Sequence, residues 1–488
     1  MANLETQDIQ GIIVTGYGHL QSSSYLFLHI DDPAQAKVWL AKIIPQMTTA
    51  IEWPMGPDGK IQKPAWALNI AFTCKGLTKL GLSPESVQTF SQEFVQGIAE
   101  DARSRRLGDT ESSAPQNWEI GGPQTPAEDE IHVLLIVQGE PNEIEKLCQT
   151  QIDLAKLYGV RQVGEVQQGY LPFDDGREHF GFHDAISQPN IEGSPRKDAD
   201  NQPCIKPGEF ILGYPNEYEL LPTTPTVPTA VDVHNNLKPA EQVSTELNKQ
   251  QQKDFGRNGS YLVFRKLHQD VAGFRRYLRD NFSEPAERDL VAAKLVGRWP
   301  SGAPLVLWPN QDDPKAEPAK SPENSFYYME TDPHGYRCPM GAHIRRVNPR
   351  DSLGENTQES IRSVNRHRLV RRGALYGEKL PKETYEDDGK DRGVLFFCIN
   401  ADIQRQFEFV QQTWINNRKF NGLYNEKDPL LGDNNGSYDM TIQHEPVRQR
   451  LSGLPRFVSV KGGGYFFLPS ISALYFLAGV KNPNLQKS

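Results

Sequence analysis

The 488-residue chain is poor in cysteine, and the five it has form no pattern: Cys74, Cys148, Cys204, Cys338 and Cys398 are odd in number and widely dispersed. No C-x-x-C pair occurs, which argues against a disulfide framework and a structural zinc site and fits a reducing compartment. Long apolar runs are missing too. Residues 131–137 are among the longest, far short of the ~18 residues of a transmembrane helix, so no membrane role is expected. The opening Met-Ala-Asn-Leu-Glu-Thr-Gln-Asp lacks the basic and apolar regions of a signal peptide. A cytoplasmic location is expected, with export by another route left open. Basic charge is in deficit: 53 Lys and Arg stand against 62 Asp and Glu, for a net charge of -9. That argues against nucleic acid as a general partner, because phosphate neutralisation needs a basic face. A local basic site for a small anion stays compatible. No G-x-S-x-G elbow occurs, which disfavours a hydrolase.

What is present is an ordinary globular composition, 37% hydrophobic and 24% charged, on a chain long enough for two or three domains. Residues 9–14 and 25–30 read as β segments, and Asp32-Pro33 opens a helix. Residues 66–73 read as a strand, and Ser83-Pro84 starts a helix running towards Ala99. A strand at 131–137, a helix at 141–157 and a strand at 161–168 follow. The order β-α-β…β-α-β predicts a ferredoxin-like α+β unit with antiparallel pairing. The stretch 214–253 is rich in Pro, Thr and Asn and reads as an excursion. Ser260-Tyr-Leu-Val-Phe264, followed by a helix, then echoes Ser24-Tyr-Leu-Phe-Leu28. A strand at 394–400, a helix capped by Asp402 that reaches Trp414, and a strand at 464–469 repeat the first plan. The expected divisions are 1–213, an excursion at 214–258, and 259–488, with two sheets packed on each other and a pocket beside one of them.

Four stretches carry chemistry. Cys338-Pro-Met-Gly-Ala-His343-Ile-Arg345-Arg346-Val-Asn-Pro-Arg350 sets one imidazole beside three guanidinium groups. An imidazole can ligate haem iron, and an arginine can pair with a propionate. For Arg345 and Arg346 a solvated basic face is the plainer reading. Gly181-Phe-His183-Asp184-Ala185-Ile186-Ser-Gln188-Pro-Asn190 is irregular, and its Asp184 sits among apolar neighbours, where a carboxylate can shuttle protons. His183 is expected on the opposite face, because adjacent side chains of an extended segment alternate. Leu369-Val-Arg371-Arg372-Gly-Ala-Leu-Tyr-Gly377 offers an arginine to stabilise negative charge on a substrate oxygen. In 393–399, Leu395, Phe397 and Ile399 share one strand face, which suits either a flat apolar ring or plain core.

Together these stretches resemble the dye-decolorizing peroxidases, in the long-form branch of the fungal enzymes and their bacterial relatives. The likeness runs from Asp8-Ile-Gln-Gly11 through Gly297-Arg-Trp-Pro-Ser-Gly-Ala-Pro304 to Gly462-Gly-Gly-Tyr-Phe-Phe-Leu-Pro-Ser470. The resemblance implies two tandem ferredoxin-like domains with the haem pocket in the C-terminal one, and one haem b per chain. It implies His343 as the iron ligand, Asp184 as the distal acid and Arg371, not Arg372, as the distal arginine. It also implies Arg350 on a propionate, and Ile186, Gln188, Leu395 and Phe397 against the haem. Asp428 is the first candidate for the acid behind His343, with Asp402 and Glu426 as rivals. Where the family's motif ends in Gly, this chain has Ala185, strained by about 1 kcal/mol if that position needs a positive φ. The implied activity is reduction of hydrogen peroxide with one-electron oxidation of anthraquinone-type dyes, phenols and similar donors. A surface Tyr or Trp, Trp414 or Tyr376, would relay the electrons of bulky donors. A monomer or weak homo-oligomer is expected. The rival reading is a haem-binding or haem-delivery protein with little peroxidase turnover.

Overall fold

The computed structural model describes residues 3–173, 175–195, 204–241, 251–313, 315 and 324–486. Part of the expected excursion, 242–250, lies outside the described residues.

The first half supplies four strands, β1 (Ser22–Ile30), β2 (Ala67–Phe72), β3 (Val133–Gly139) and β4 (Gln167–Tyr170). The second supplies β5 (Ser260–Gln269), β6 (Ala374–Tyr376), β7 (Gly393–Asn400) and β8 (Val458–Leu468). The helices used below are α1 (Pro33–Ile43), α2 (Ile144–Lys156), α3 (Val271–Asn281), α4 (Pro285–Val296), α5 (His343–Val347) and α6 (Ile471–Ala478). Asp32 starts α1 by accepting the N–H groups of Ala34 and Gln35, as a cap should.

All pairings among these eight strands are antiparallel, and they close a ring in the order β1-β3-β2-β8-β5-β7-β6-β4. The α+β class and antiparallel plan therefore hold. The halves meet edge to edge to make one barrel, not face to face. Each seam is thin, a single facing pair: Phe467 with Phe72, and Leu375 with Tyr170. The shared interior holds the halves together. Tyr25 and Phe27 from β1 pack on Phe264 from β5 at ring separations of 5.7 and 5.3 Å, and Tyr25 meets Phe397 at 5.8 Å. Each such aromatic pair adds about 0.5–1.5 kcal/mol beyond its buried area. The alternate residues of β1, Leu26, Leu28 and Ile30, face outward into a second core with Trp39 and Leu40 of α1. Strands buried on both faces read as continuous apolar runs, which hides their alternation in the sequence.

Three expected elements differ. Residues 9–14 are not a strand but a short 3-10 turn, Gly11–Ile13. The buried side chain of Gln10 takes up the N–H and C=O of Ile70 and the C=O of Pro469, groups that a strand's backbone would otherwise bond. The helix expected from Ser83 is two short pieces, Pro84–Val87 and Gln92–Gln96, because Ser91 caps a new start by accepting the N–H of Phe94. The stretch capped by Asp402 winds in π-helical turns at Gln404–Glu408 and Val410–Ile415.

The N-terminal strands have their outer face covered by α1, α2 and α6. Part of the outer face of β5, β7 and β8 instead fronts a cavity, closed on the other side by loops and by α5. That difference positions the site.

Candidate active site

The cavity has a volume of about 510 Å³ and lies against Leu267 of β5, Val394 and Phe396 of β7 and Val460 of β8. His343, Asp184, Arg350, Arg371, Ile186 and Gln188 all line it. Six separate segments of the chain thus converge on one cavity.

His343 is the first residue of α5. Its Nδ1 lies 2.9 Å from Asp428 Oδ2, and its Nε2 has no partner among the described residues. Of the three candidate acids, Asp428 is therefore the one in contact. Glu426 is taken by the N–H and hydroxyl of Thr441, and Asp402 caps the π-helical segment. Asp428 is fully buried, and its other oxygen accepts the N–H groups of Leu430 and Leu431 at 2.9 Å each. Burial pushes its carboxyl up, but the facing imidazole, these N–H donors and Arg346 prevail and hold it below the usual carboxylate range. A carboxylate fixed behind Nδ1 sets the tautomer and leaves Nε2 free as a basic ligand.

Arg345 and Arg346 are not a solvated face. Both are fully buried. Arg345 pairs with Asp332 at 3.0 Å and lies 4.2 Å over the Tyr328 ring. Arg346 donates to the carbonyls of Trp414 and Glu426 at 2.6 and 2.8 Å. They anchor the short helix that carries His343.

The segment around Asp184 lines the same cavity. Its N–H bonds the Gly176 carbonyl at 3.1 Å, and its Oδ1 accepts the N–H of Ala185 at 2.6 Å. Ala185 has φ +61°, so this position does demand the left-handed conformation. Arg371 ties to the same segment. Its N–H reaches Gln188 Oε1 at 3.0 Å, and its Nη2 reaches the Ser187 carbonyl at 2.7 Å. Arg372 turns to the carbonyls of Ile12 and Ile13 at 3.2 and 3.4 Å. His183, expected on the opposite face, also lines the cavity, its Nδ1 3.0 Å from the Asp184 carbonyl.

Leu395 and Phe397 need correction. Both point into the barrel core and are 0% and 1% exposed, whereas Val394 and Phe396 face the cavity. The period of two was right and the phase was off by one, which flips every side chain to the other face. Trp414 and Tyr376 are 4% and 8% exposed, so neither is a surface relay.

Sequence reasoning missed two cationic groups, Arg298 and Arg368, both in the lining. Burial first, then the neighbouring Arg350, pushes Arg298 down to about 9; burial, Arg350 and Arg371 do the same to Arg368. Arg350, left-handed at φ +55°, donates to the Phe326 carbonyl at 2.7 Å and lies 3.9 Å over the Phe326 ring. No carboxylate of a described residue pairs with Arg350, Arg368 or Arg371. Gathered guanidinium groups that depress one another call for an anionic ligand. The signal was readable only in Gly297-Arg298-Trp299 and Arg366-His367-Arg368, where nothing marks one arginine as internal.

An imidazole backed by a carboxylate, a flat apolar wall and uncompensated arginines together match an iron porphyrin with carboxylate side arms. Comparison with known proteins agrees. Residues 8–167 match a family model described as the DyP dimeric alpha+beta barrel domain. The chain is 30% identical over 493 residues to the dye-decolorizing peroxidase AauDyP1 of Auricularia auricula-judae, covering 97% of this chain and 86% of that protein. It is 29% identical to the multifunctional dye peroxidase DyP2 of an Amycolatopsis strain, covering 92% and 91%. A crystal structure of the Auricularia DyP-type peroxidase superposes with TM-score 0.77 at 28% identity, over 98% of this chain and 100% of that one. Fold and site define a peroxidase, an oxidoreductase that takes peroxide as electron acceptor. The chain belongs to the dye-decolorizing peroxidases.

Proposed function

We propose that the cavity binds one haem b per chain, with His343 Nε2 on the iron, Asp428 behind the imidazole, and Arg350 and Arg368 on the propionates. Haem supplies the redox chemistry of the reaction, accepting electrons from donors and passing them to peroxide. The chain's own groups handle charge and protons. Asp184 takes the proton from the inner oxygen of hydrogen peroxide and returns it to the departing outer oxygen, which leaves as water. Arg371 stabilises the negative charge on that oxygen as the O–O bond lengthens. Val394 and Phe396 exclude water from one face. Each peroxide consumes two protons and two electrons and yields two waters, so two donor molecules each give one electron. Dyes of the anthraquinone type and phenols are the donors proposed; the relatives are dye-decolorizing and dye peroxidases.

The observation that carries this reading is that His343, backed by Asp428, shares one arginine-rich cavity with Asp184 and Arg371. A haem-delivery protein would need the imidazole but has no use for an acid and an arginine facing it. A reducing location is supported by five free cysteines, three of them buried. No helix among the described residues is long and apolar enough to cross a membrane. The test is to load the purified chain with haem and follow its absorption spectrum before and after one equivalent of peroxide. A spectral change that donors reverse in two one-electron steps is expected. A haem-loaded protein inert to peroxide would refute the reading.

A further inference from the structure

The loop that delivers Asp184 begins with a second carboxyl, Glu178, which also lines the cavity. Glu178 is half-buried, and the protein packed round it desolvates its carboxyl. Glu178 Oε1 accepts the N–H of Phe182 at 3.0 Å. Oε2 accepts the N–H of Phe180 at 2.9 Å and the amide of Gln269 at 2.7 Å. The backbone closes the same turn: Glu178 N–H donates to the Phe182 carbonyl at 2.9 Å, two residues before Asp184. No cation of a described residue pairs with Glu178. Gln269, at the end of β5, is 5% exposed, and its Oε1 is buried without a partner.

This pair can satisfy either protonation state. With Glu178 ionised, the Gln269 NH₂ donates to it, as seen. With Glu178 protonated, a half-turn of the Gln269 amide presents the now idle Oε1 to the carboxyl O–H. A buried carboxyl beside an amide that can rotate to suit is built to hold or release one proton. We propose that Glu178 is a positioning residue of the peroxide site, acting through Asp184: it fixes the turn that aims Asp184 and adds or withholds one negative charge beside it. The proposal rests on the assignment of Asp184 made above.

Burial, the first cause, lifts Glu178 to about 7; the Gln269, Phe180 and Phe182 donors pull it down, and the charge of Asp184 adds to the rise. The charged and titratable groups on the elements packed round it are several. Arg177, His179, His183 and Asp184 lie on its own segment, and Arg265 and His268 on β5. Asp270 and Arg275 lie at α3, Arg392 before β7 and Arg456 before β8. Among them Asp184 exerts the largest direct charge effect on Glu178. An ionised Glu178 places a negative charge beside Asp184 and opposes the negative charge that develops on the departing oxygen. Peroxide reduction then falls as Glu178 ionises.

The test uses haem-loaded protein without peroxide. An infrared difference titration across pH ~7 should show a carboxylic-acid carbonyl band lost as pH rises. Glu178→Gln should lack that band. Gln269→Leu, which removes a donor to the ionised form, should raise its midpoint, and Asp184→Asn, which removes a like charge, should lower it. With peroxide added, the rate one unit below the midpoint should exceed that one unit above by roughly threefold or more in the native protein, and by little in Glu178→Gln. Should Glu178→Gln fail to fold, the opposite midpoint shifts of the other two variants decide. An unaltered band in Glu178→Gln, or an unmoved midpoint in Asp184→Asn, overturns the proposal for Glu178 alone. Unimpaired peroxide reduction in Asp184→Asn overturns the assignment of Asp184, and this proposal with it.

Discussion

The two sides of the cavity are built on opposite principles. On the His343 side every charged group is sunk and bonded: Arg345 to Asp332, Arg346 to backbone carbonyls, Asp428 to the imidazole and two N–H groups. On the Asp184 side the acid is half-buried, its loop turns on a left-handed alanine, and Arg371 keeps donors unspent. A metal ligand must be fixed before the cofactor arrives, so the charged groups behind it are each tied to a carboxylate, a carbonyl or an N–H. A group that moves protons must change partners in each turnover, so its surroundings leave capacity over. Left-handed residues stand in both segments, Arg350 after the helix of His343 and Ala185 beside Asp184, so the contrast lies in the pairing of charges and not in backbone strain.

The largest expected effect breaks the saturated side at its centre. His343→Ala should lose haem on gel filtration and show no native absorption spectrum, while the fold, followed by circular dichroism, survives. On the other side, Asp184→Asn should retain haem with an unaltered resting spectrum, yet react with peroxide about 10²–10⁴-fold more slowly in stopped flow. Loss of haem in the second variant would erase the division of labour between the two sides.

Next in size comes the scaffold of α5. Arg345→Met leaves Asp332 buried without its cation, which should cost about 3–5 kcal/mol in denaturant unfolding. A cost below about 1 kcal/mol would mean that the pair is not the anchor it is taken for.

Asp428→Asn is milder, because shape is kept and only charge is lost. Haem affinity or peroxide rate should drop about 10–100-fold. Acid unfolding of the haem-free protein should change as well. The native carboxyl sits below its ordinary value of 3.8, so its contribution is full above that value and fades as pH falls through the lower folded value. The variant should therefore lose less stability below pH 3.8 than the native chain. An identical acid limb in the two proteins would count against the coupling.

Much of this contrast was legible in the sequence. Identity and order of motifs pointed to His343, Asp184, Arg371 and Arg350, which share one cavity; for the acid behind His343 they left three candidates, of which Asp428 is in contact. The barrel's closure was not legible: a single facing pair at each seam leaves no pattern in the chain. The phase of β7 was lost for a related reason. Val394 to Ile399 is apolar throughout, one face fronting the shared core and the other the cavity, so only the partner strands decide which residues face which way. Arg298 and Arg368 look like any surface arginine until the fold encloses them. Glu178 was passed over because its partner, Gln269, lies 91 residues away.

The smallest effect sharpens the comparison most finely. Ala185 holds φ +61°, a conformation that costs a residue with a Cβ about 1–2 kcal/mol. Ala185→Gly relieves that strain but returns about 0.4–1 kcal/mol of backbone entropy to the unfolded chain. The net gain in stability should be a few tenths to about 1 kcal/mol, read as a small rise in denaturation midpoint. Ala185 lines the cavity, so the resting spectrum of the variant reports whether its methyl bears on bound haem. If peroxide reactivity stays the same, the strain is a tolerated cost of the turn. If reactivity falls while stability rises, the alanine stiffens the loop that aims Asp184, and the strain belongs to the mechanism.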